Sequence, residues 1–420
     1  MIFEIVKKAA ALIYCCVFTI CCSSSSSEPE SILPSPMNPI PATGSQNISL
    51  SVTLGWVCSN QNNLSYIYDL YFGTASIPPL IASGLTNPQY VVDSLSKGSS
   101  YYWKIVVKEG GRRTEGTVWN FSTIPAWEQV ADFGGQAMAG SPAFSIGAKG
   151  YIVSGFPENS QSVPDVWQYD SVTNTWSKKN NFPGPSRIDG AGFSIGDKGY
   201  ITCGIGSSNL LNDLYEYDQQ TDTWTQKASY PGAARYLPTV LVINQKAYVV
   251  GGTTDQRAQK DVWEYDPLNN QWTKKADFPG NGRNSAGGFV IGNKGYIGCG
   301  VTNGNPFVVT NDFWEYDPQN DAWTRKADFP GIGRGYTLGF SIGSTGYLGL
   351  GITAITGQNS VIAKDLYEYN PASNLWTKKL DFQGGKRAMA PSFVIGRYLY
   401  FGNGGNENGQ FYKDFWRFSK

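Results

Sequence analysis

The chain contains no histidine. A nucleophile activated by imidazole, whether Ser-His-Asp or Cys-His, cannot be assembled from it. Zinc and copper sites that rely on imidazole are excluded for the same reason. Any acid–base chemistry falls to Asp, Glu, Tyr, Lys or a tuned thiol. Charge is sparse, at 16% of residues, and balanced, with 33 Lys+Arg against 33 Asp+Glu. The whole-molecule field therefore attracts neither DNA nor an acidic membrane, and no nucleic-acid partner is expected. Four of the seven cysteines (Cys15, Cys16, Cys21, Cys22) crowd the start, leaving Cys58, Cys203 and Cys299. Those three make no even-numbered disulfide framework, so stability must come from packing. No cofactor or metal site is legible.

What the chain does have is aromatic residues and glycine: 13 Trp, 25 Tyr, 21 Phe and 49 Gly. That profile suits short strands joined by tight turns, and an all-β fold is expected.

Lys7 and Lys8 precede an apolar run from Ala9 to about Cys22, too short to span a bilayer. Residues 1–22 read as a signal peptide. Residues 23–44, rich in serine and proline, read as a flexible tether. The step from Cys21-Cys22 to Ser23–Ser27 resembles a bacterial lipoprotein cleavage site, with lipid expected on Cys22 because the small Cys21 then precedes the cut. With Glu28 and Glu30 following, the tether is similar to those of surface lipoproteins in the Bacteroidetes group. The resemblance implies a secreted outer-membrane lipoprotein, surface-exposed or periplasmic, held to the membrane by its lipid.

Residues 45–124 contain alternating runs such as NISLSVTLGW, YIYDLYFG and YYWKIVVKE, separated by turn-rich text. About seven short strands in this length suggest a β-sandwich. Trp56, Leu95 and the Tyr101–Tyr102–Trp103 group resemble the core positions of a fibronectin type III domain.

Residues 126–420 repeat with a period of about 50 residues. Trp127, Trp176, Trp224, Trp272, Trp323 and Trp376 mark one series. Asp165, Asp213, Asp261, Asp312, Asp365 and Asp414, each opening an Asp-x-Trp or Asp-x-Tyr phrase, mark another. The hairpins at Phe193–Tyr200 (FSIGDKGY) and Phe289–Tyr296 (FVIGNKGY) mark a third. Each unit reads as four strands, which is a propeller blade. The Trp, Gly-Gly and Tyr-Asp phrases resemble kelch repeats, and the resemblance implies a six-bladed propeller. The unit is out of phase with the chain: it opens on a fourth strand at 127–131 and ends on a third strand at Asp414–Ser419. The first strand is therefore expected to complete the last blade, leaving no open edge.

Arg187, Arg235, Arg283, Arg334 and Arg387 each precede a first strand, with Met138 in that place in the first unit. Two readings stand side by side. The arginines line the channel mouth and bind carboxylates, or they pair with the repeated aspartates. Just after them the repeat breaks, at Ile188-Asp189, Tyr236, Asn284, Gly335-Tyr336 and Ala388-Met389. Scaffold residues repeat because packing repeats, so Asp189, Tyr236, Asn284, Tyr336 and the loop residue Phe307 are candidate ligand contacts. Cys203 and Cys299 occupy equivalent places in alternate units and are expected as buried small residues.

The expected function is non-enzymatic recognition of a glycan or a protein at one propeller face. The alternative is a metal-independent mutarotase or epimerase acting on an acidic sugar such as sialic acid. Six-bladed kelch propellers with that activity use a carboxylate and arginines; resemblance to galactose oxidase fails because its copper site needs histidine.

Overall fold

The computed structural model describes residues 33–59, 64–158, 161–255, 257–303, 308–356 and 359–420, and every regular element among them is a strand. The expected signal peptide, Cys22 and Phe307 lie outside the described residues. The described residues divide into two compact units, one of 33–45, 51–92 and 100–121, the other of 46–50, 93–99 and 122–420.

In the smaller unit, Met37–Ile40, Val52–Val57 and Gln89–Val92 form one sheet. Ser100–Glu109, Ile67–Gly73 and Leu80–Leu85 lie side by side in a second. Along Ser100–Glu109 the period of two buries Tyr101, Trp103, Ile105 and Val107. Trp56 from the first sheet meets Trp103 from the second, ring centroids 6.5 Å apart. Met37–Ile40 falls within the segment read as a tether, yet it pairs with Val52–Val57. Ile40 remains exposed, so ladder hydrogen bonds to an open edge hold the strand rather than burial of its side chains. Composition reports burial, and so it concealed this strand.

The larger unit holds six four-stranded antiparallel sheets. Five take their strands in chain order from one stretch of sequence, as in Ala191–Ile195, Lys198–Thr202, Leu214–Asp218 and Thr223–Lys227, and in three of the five short strands of the intervening loop lie between the second and third. The sixth joins Ser392–Ile395, Tyr398–Gly402 and Phe415–Ser419 to Trp127–Val130 from the other end of the repeat region. The first strand of each sheet neighbours the first strand of the next, and the series returns from Ser392–Ile395 to Ala143–Ile146.

Two repeated devices join the sheets. Phe144 in the first sheet lies on Gly199 in the second so closely that a Cβ there would come 2.1 Å from the ring. Phe393 on Gly150 and Phe289 on Gly346 repeat that contact, which accounts for glycine before the tyrosine of the second strand. On the outer side, Tyr265 donates its hydroxyl to Asn270 Oδ1 (3.0 Å), which also accepts from the Ala228 amide of the neighbouring sheet (2.9 Å). Trp272 Nε1 then donates to the Ala228 carbonyl (2.8 Å). Tyr169, Asn174, Trp176 and Ala131 form the same latch between the last sheet and the first.

Candidate functional site

All five arginines are buried, none more than 3% exposed. Each grips the aspartate that opens the third strand of its own sheet: Arg187–Asp213 (2.6 and 2.8 Å), Arg235–Asp261 (2.6 and 3.0 Å) and Arg283–Asp312 (2.8 and 2.8 Å). Arg334–Asp365 and Arg387–Asp414 repeat the two-pronged geometry. The same guanidinium donates to a carbonyl at the end of the second strand, as Arg235 does to Gly251 O (2.8 Å), and lies over an aromatic ring, Tyr230 in that sheet, at 4.8 Å. Burial alone would raise the carboxyls of Asp261, Asp312 and Asp414, but hydrogen bonds and charge from their arginines outweigh it and hold them below their ordinary value. Of the two readings of Arg187, Arg235, Arg283, Arg334 and Arg387, the pairing one describes their contacts here: each guanidinium is engaged within its own sheet. Where Met138 stands instead, Asp165 takes Lys178 (2.9 Å).

Two residues after each arginine the backbone turns left-handed. Gly140, Asp189, Leu237, Ser285, Tyr336 and Met389 hold this equivalent place in the six sheets, with φ between 50° and 68°. Main-chain bonds run from sheet to sheet here. Gly140 N–H donates to Met389 O (2.8 Å), Asp189 N–H to Gly140 O (2.7 Å), and Leu237 N–H to Asp189 O (2.7 Å). Ser285 N–H donates to Leu237 O (3.1 Å) and Thr337 N–H to Ser285 O (3.2 Å). The six residues line a central cavity of about 260 Å³, with the starts of the first strands forming the rest of its wall.

Asp189 is the charged member of this ring. Its side chain is 7% exposed, and burial alone pushes its carboxyl up to about 7. Oδ1 sits beside Gly140, where a Cβ would come within 3.1 Å of it. Tyr336 also lines the cavity, and burial followed by the Asp189 charge raises its phenol. Tyr236 is raised by the same two causes in the same order. Asp189, Tyr236 and Tyr336, named from sequence, therefore share one electrostatic neighbourhood.

Asn284 is turned elsewhere: it donates to Thr253 and accepts from the Ser285 hydroxyl (2.8 Å). Sequence reading passed over Leu237 and Ser285 because it took whatever residue looked unusual after each arginine. A constant offset of two from the arginine is the signal that finds all five positions. Cys203 and Cys299 are buried and unbridged.

Residues 143–333 match the family model of the KLHDC2/KLHL20/DRC7 Kelch-repeats domain. The solved structure of YjhT is similar in fold, with a TM-score of 0.60 and 17% identity, covering 68% of this chain and 95% of that one. No curated protein sequence matches the chain. Residues 143–333 are thus similar to a kelch-repeat domain, and the six four-stranded sheets are consistent with a propeller of that type.

Proposed function

We propose that residues 126–420 form a closed six-bladed kelch propeller, each four-stranded sheet a blade, and that it is a binding module whose central cavity receives a glycan or an exposed group of a protein. One observation carries this reading. The position two after each arginine, or after Met138 in the first sheet, is left-handed in all six sheets, where glycine would be free of strain, yet five of the six carry side chains, and all five differ. Left-handed L residues cost free energy and persist where the surroundings or a function demand them. A repeating scaffold whose cavity-facing residues at one fixed position all differ has the form of a recognition site.

The rest of the chain fits an envelope setting. In this reading Cys22 carries lipid, the signal peptide directs export to the outer membrane, surface-exposed or periplasmic, and the small unit is a fibronectin type III-like spacer. The supports are the lipoprotein-like cleavage text and the two-sheet unit with its Trp56–Trp103 core.

A sugar mutarotase is the second reading, favoured by one feature: a buried carboxyl titrating near neutrality beside two phenols has the properties of a proton carrier. The acidic-sugar form of that reading loses its anchor, because the five arginines are committed to aspartates.

The test is a glycan array probed with the full chain and with Tyr336→Ala, alongside pull-down from the cell envelope. Binding lost in Tyr336→Ala and kept in Arg325→Ala, an exposed edge residue, supports the cavity. A glycan or protein partner that binds both variants equally places recognition elsewhere and overturns the reading. NMR anomer exchange on any sugar that binds separates recognition from mutarotation.

A further inference from the structure

Resting on the cavity reading above, we infer that the group the cavity recognises is a single protonated amine, with its ammonium set against the Asp189 carboxylate. Asp189 is held from both sides by main-chain bonds, its N–H to Gly140 O and its carbonyl from Leu237 N–H, so its position is fixed before any ligand arrives. Its carboxyl is more than nine-tenths buried and faces the cavity beside Gly140, with burial as the sole cause of its displacement: no hydrogen-bond donor and no cation among the described residues offsets it.

The neighbours that could neutralise it are accounted for. Arg187, two residues earlier, is forked on Asp213. Arg387, the one cation among the described residues that contributes to the cavity wall, donates to Gly385 O, Asn403 O and Asp414. Tyr236 and Tyr336 are pushed up and remain neutral phenols. A buried carboxylate without a counter-charge is costly, and that cost is relieved when a cation enters. Aromatic rings next to a carboxylate add attraction for an ammonium. A volume of about 260 Å³ falls at the small end of ligand pockets, sized for one sugar or one amino-acid side chain.

Because proton and ammonium compete for the same carboxyl, binding should strengthen as pH rises through about 7 and fade below it. The phenols beside Asp189 do not confuse this, since burial and the Asp189 charge raise both and they stay neutral across that range.

Three polyols of one skeleton separate the possibilities: glucamine with an ammonium end, sorbitol with a neutral end and gluconate with a carboxylate end. Calorimetric titration of the full chain at about pH 8 and about pH 5.5 keeps the glucamine amine protonated throughout. The expected result at the higher pH is glucamine binding at least about tenfold tighter than sorbitol. That preference should disappear at the lower pH and in Asp189→Asn, whose fold is checked by its melting curve. Sorbitol or gluconate binding as tightly as glucamine, with loss in Tyr336→Ala, overturns the amine inference while the cavity reading survives. Glucamine affinity unchanged in Asp189→Asn overturns it as well. If none of the three binds, the inference fails, and the wider reading stands or falls on the array and pull-down.

Discussion

Trp127 lies directly opposite Phe418 in the strand ladder, ring centroids 4.9 Å apart, although one opens the repeat region and the other nearly ends the chain. Trp127 is 2% exposed and shares a core with Phe382, Phe401 and Phe418. Removing residues 127–130 would bare the edge of Phe415–Ser419 and unroof that core. The expected outcome is aggregation, read by light scattering after gel filtration. A monomeric deletion protein with one cooperative melt would show that this pairing does not hold the last sheet. The milder Trp127→Ala should lower stability by about 3–5 kcal/mol in urea.

Arg235→Ala should be among the most destabilising substitutions in the larger unit. It strips Asp261 of its cationic partner, leaving only Trp263 Nε1 and the Tyr230 hydroxyl as side-chain donors, and leaves the Gly251 carbonyl without this donor. Breaking one side of a buried pair costs about 3–5 kcal/mol, against about 0–1 kcal/mol for an exposed pair such as Arg325–Asp328. Urea melts of Arg235→Ala and Arg325→Ala compare the two directly. Equal losses would mean that the fork has no structural role.

Acid sensitivity follows from the same pairs. Asp261, Asp312 and Asp414 titrate below their unfolded value, so the folded state binds fewer protons there. Their contribution is present above about pH 4 and is lost as pH falls below it. Melting temperature should drop steeply in that acid range.

Asp189 works in the opposite direction. Its folded carboxyl titrates at about 7, above the unfolded value. Its contribution is full below about pH 4 and is lost as pH rises to about 7, amounting to as much as about 4 kcal/mol. Asp189→Asn should remove this slope and be the more stable protein at about pH 8, measured by urea melts across pH. A variant whose stability follows the wild-type curve would mean that Asp189 is not an uncompensated buried acid.

Asn270→Ala tests the outer latch. The change removes the acceptor for Tyr265 Oη and Ala228 N–H and puts a Cβ without polar atoms at φ 52°. A loss of about 1–3 kcal/mol is expected. Asn270→Gly should recover part of it, because glycine suits that backbone.

Much of the scaffold was readable in the linear text. The Trp and Asp series gave the strand order, and the phase of the repeat gave the pairing of 127–131 with the final strand. The strand at Met37–Ile40 stayed hidden because it contributes backbone bonds rather than buried side chains. Asp189 and Tyr336 stood out as breaks in the pattern. Leu237 and Ser285 did not, because a leucine or a serine in a turn gives no hint that it faces a cavity.

The repeat, the missing histidine and the drift of residues after each arginine are properties of the chain itself. They determined an all-β design and ruled out imidazole chemistry, since both follow from residue identity and local spacing. That five arginines grip the aspartates of their own sheets is visible only in three dimensions. Arg187 and Asp213 are 26 residues apart in sequence, and only the folded sheet brings them within 2.6 Å. The exceptional environment of Asp189 is likewise tertiary, because its neighbours Gly140, Tyr236 and Tyr336 come from three other sheets. Its burial without a counter-charge among the described residues arises only when those sheets come together around it.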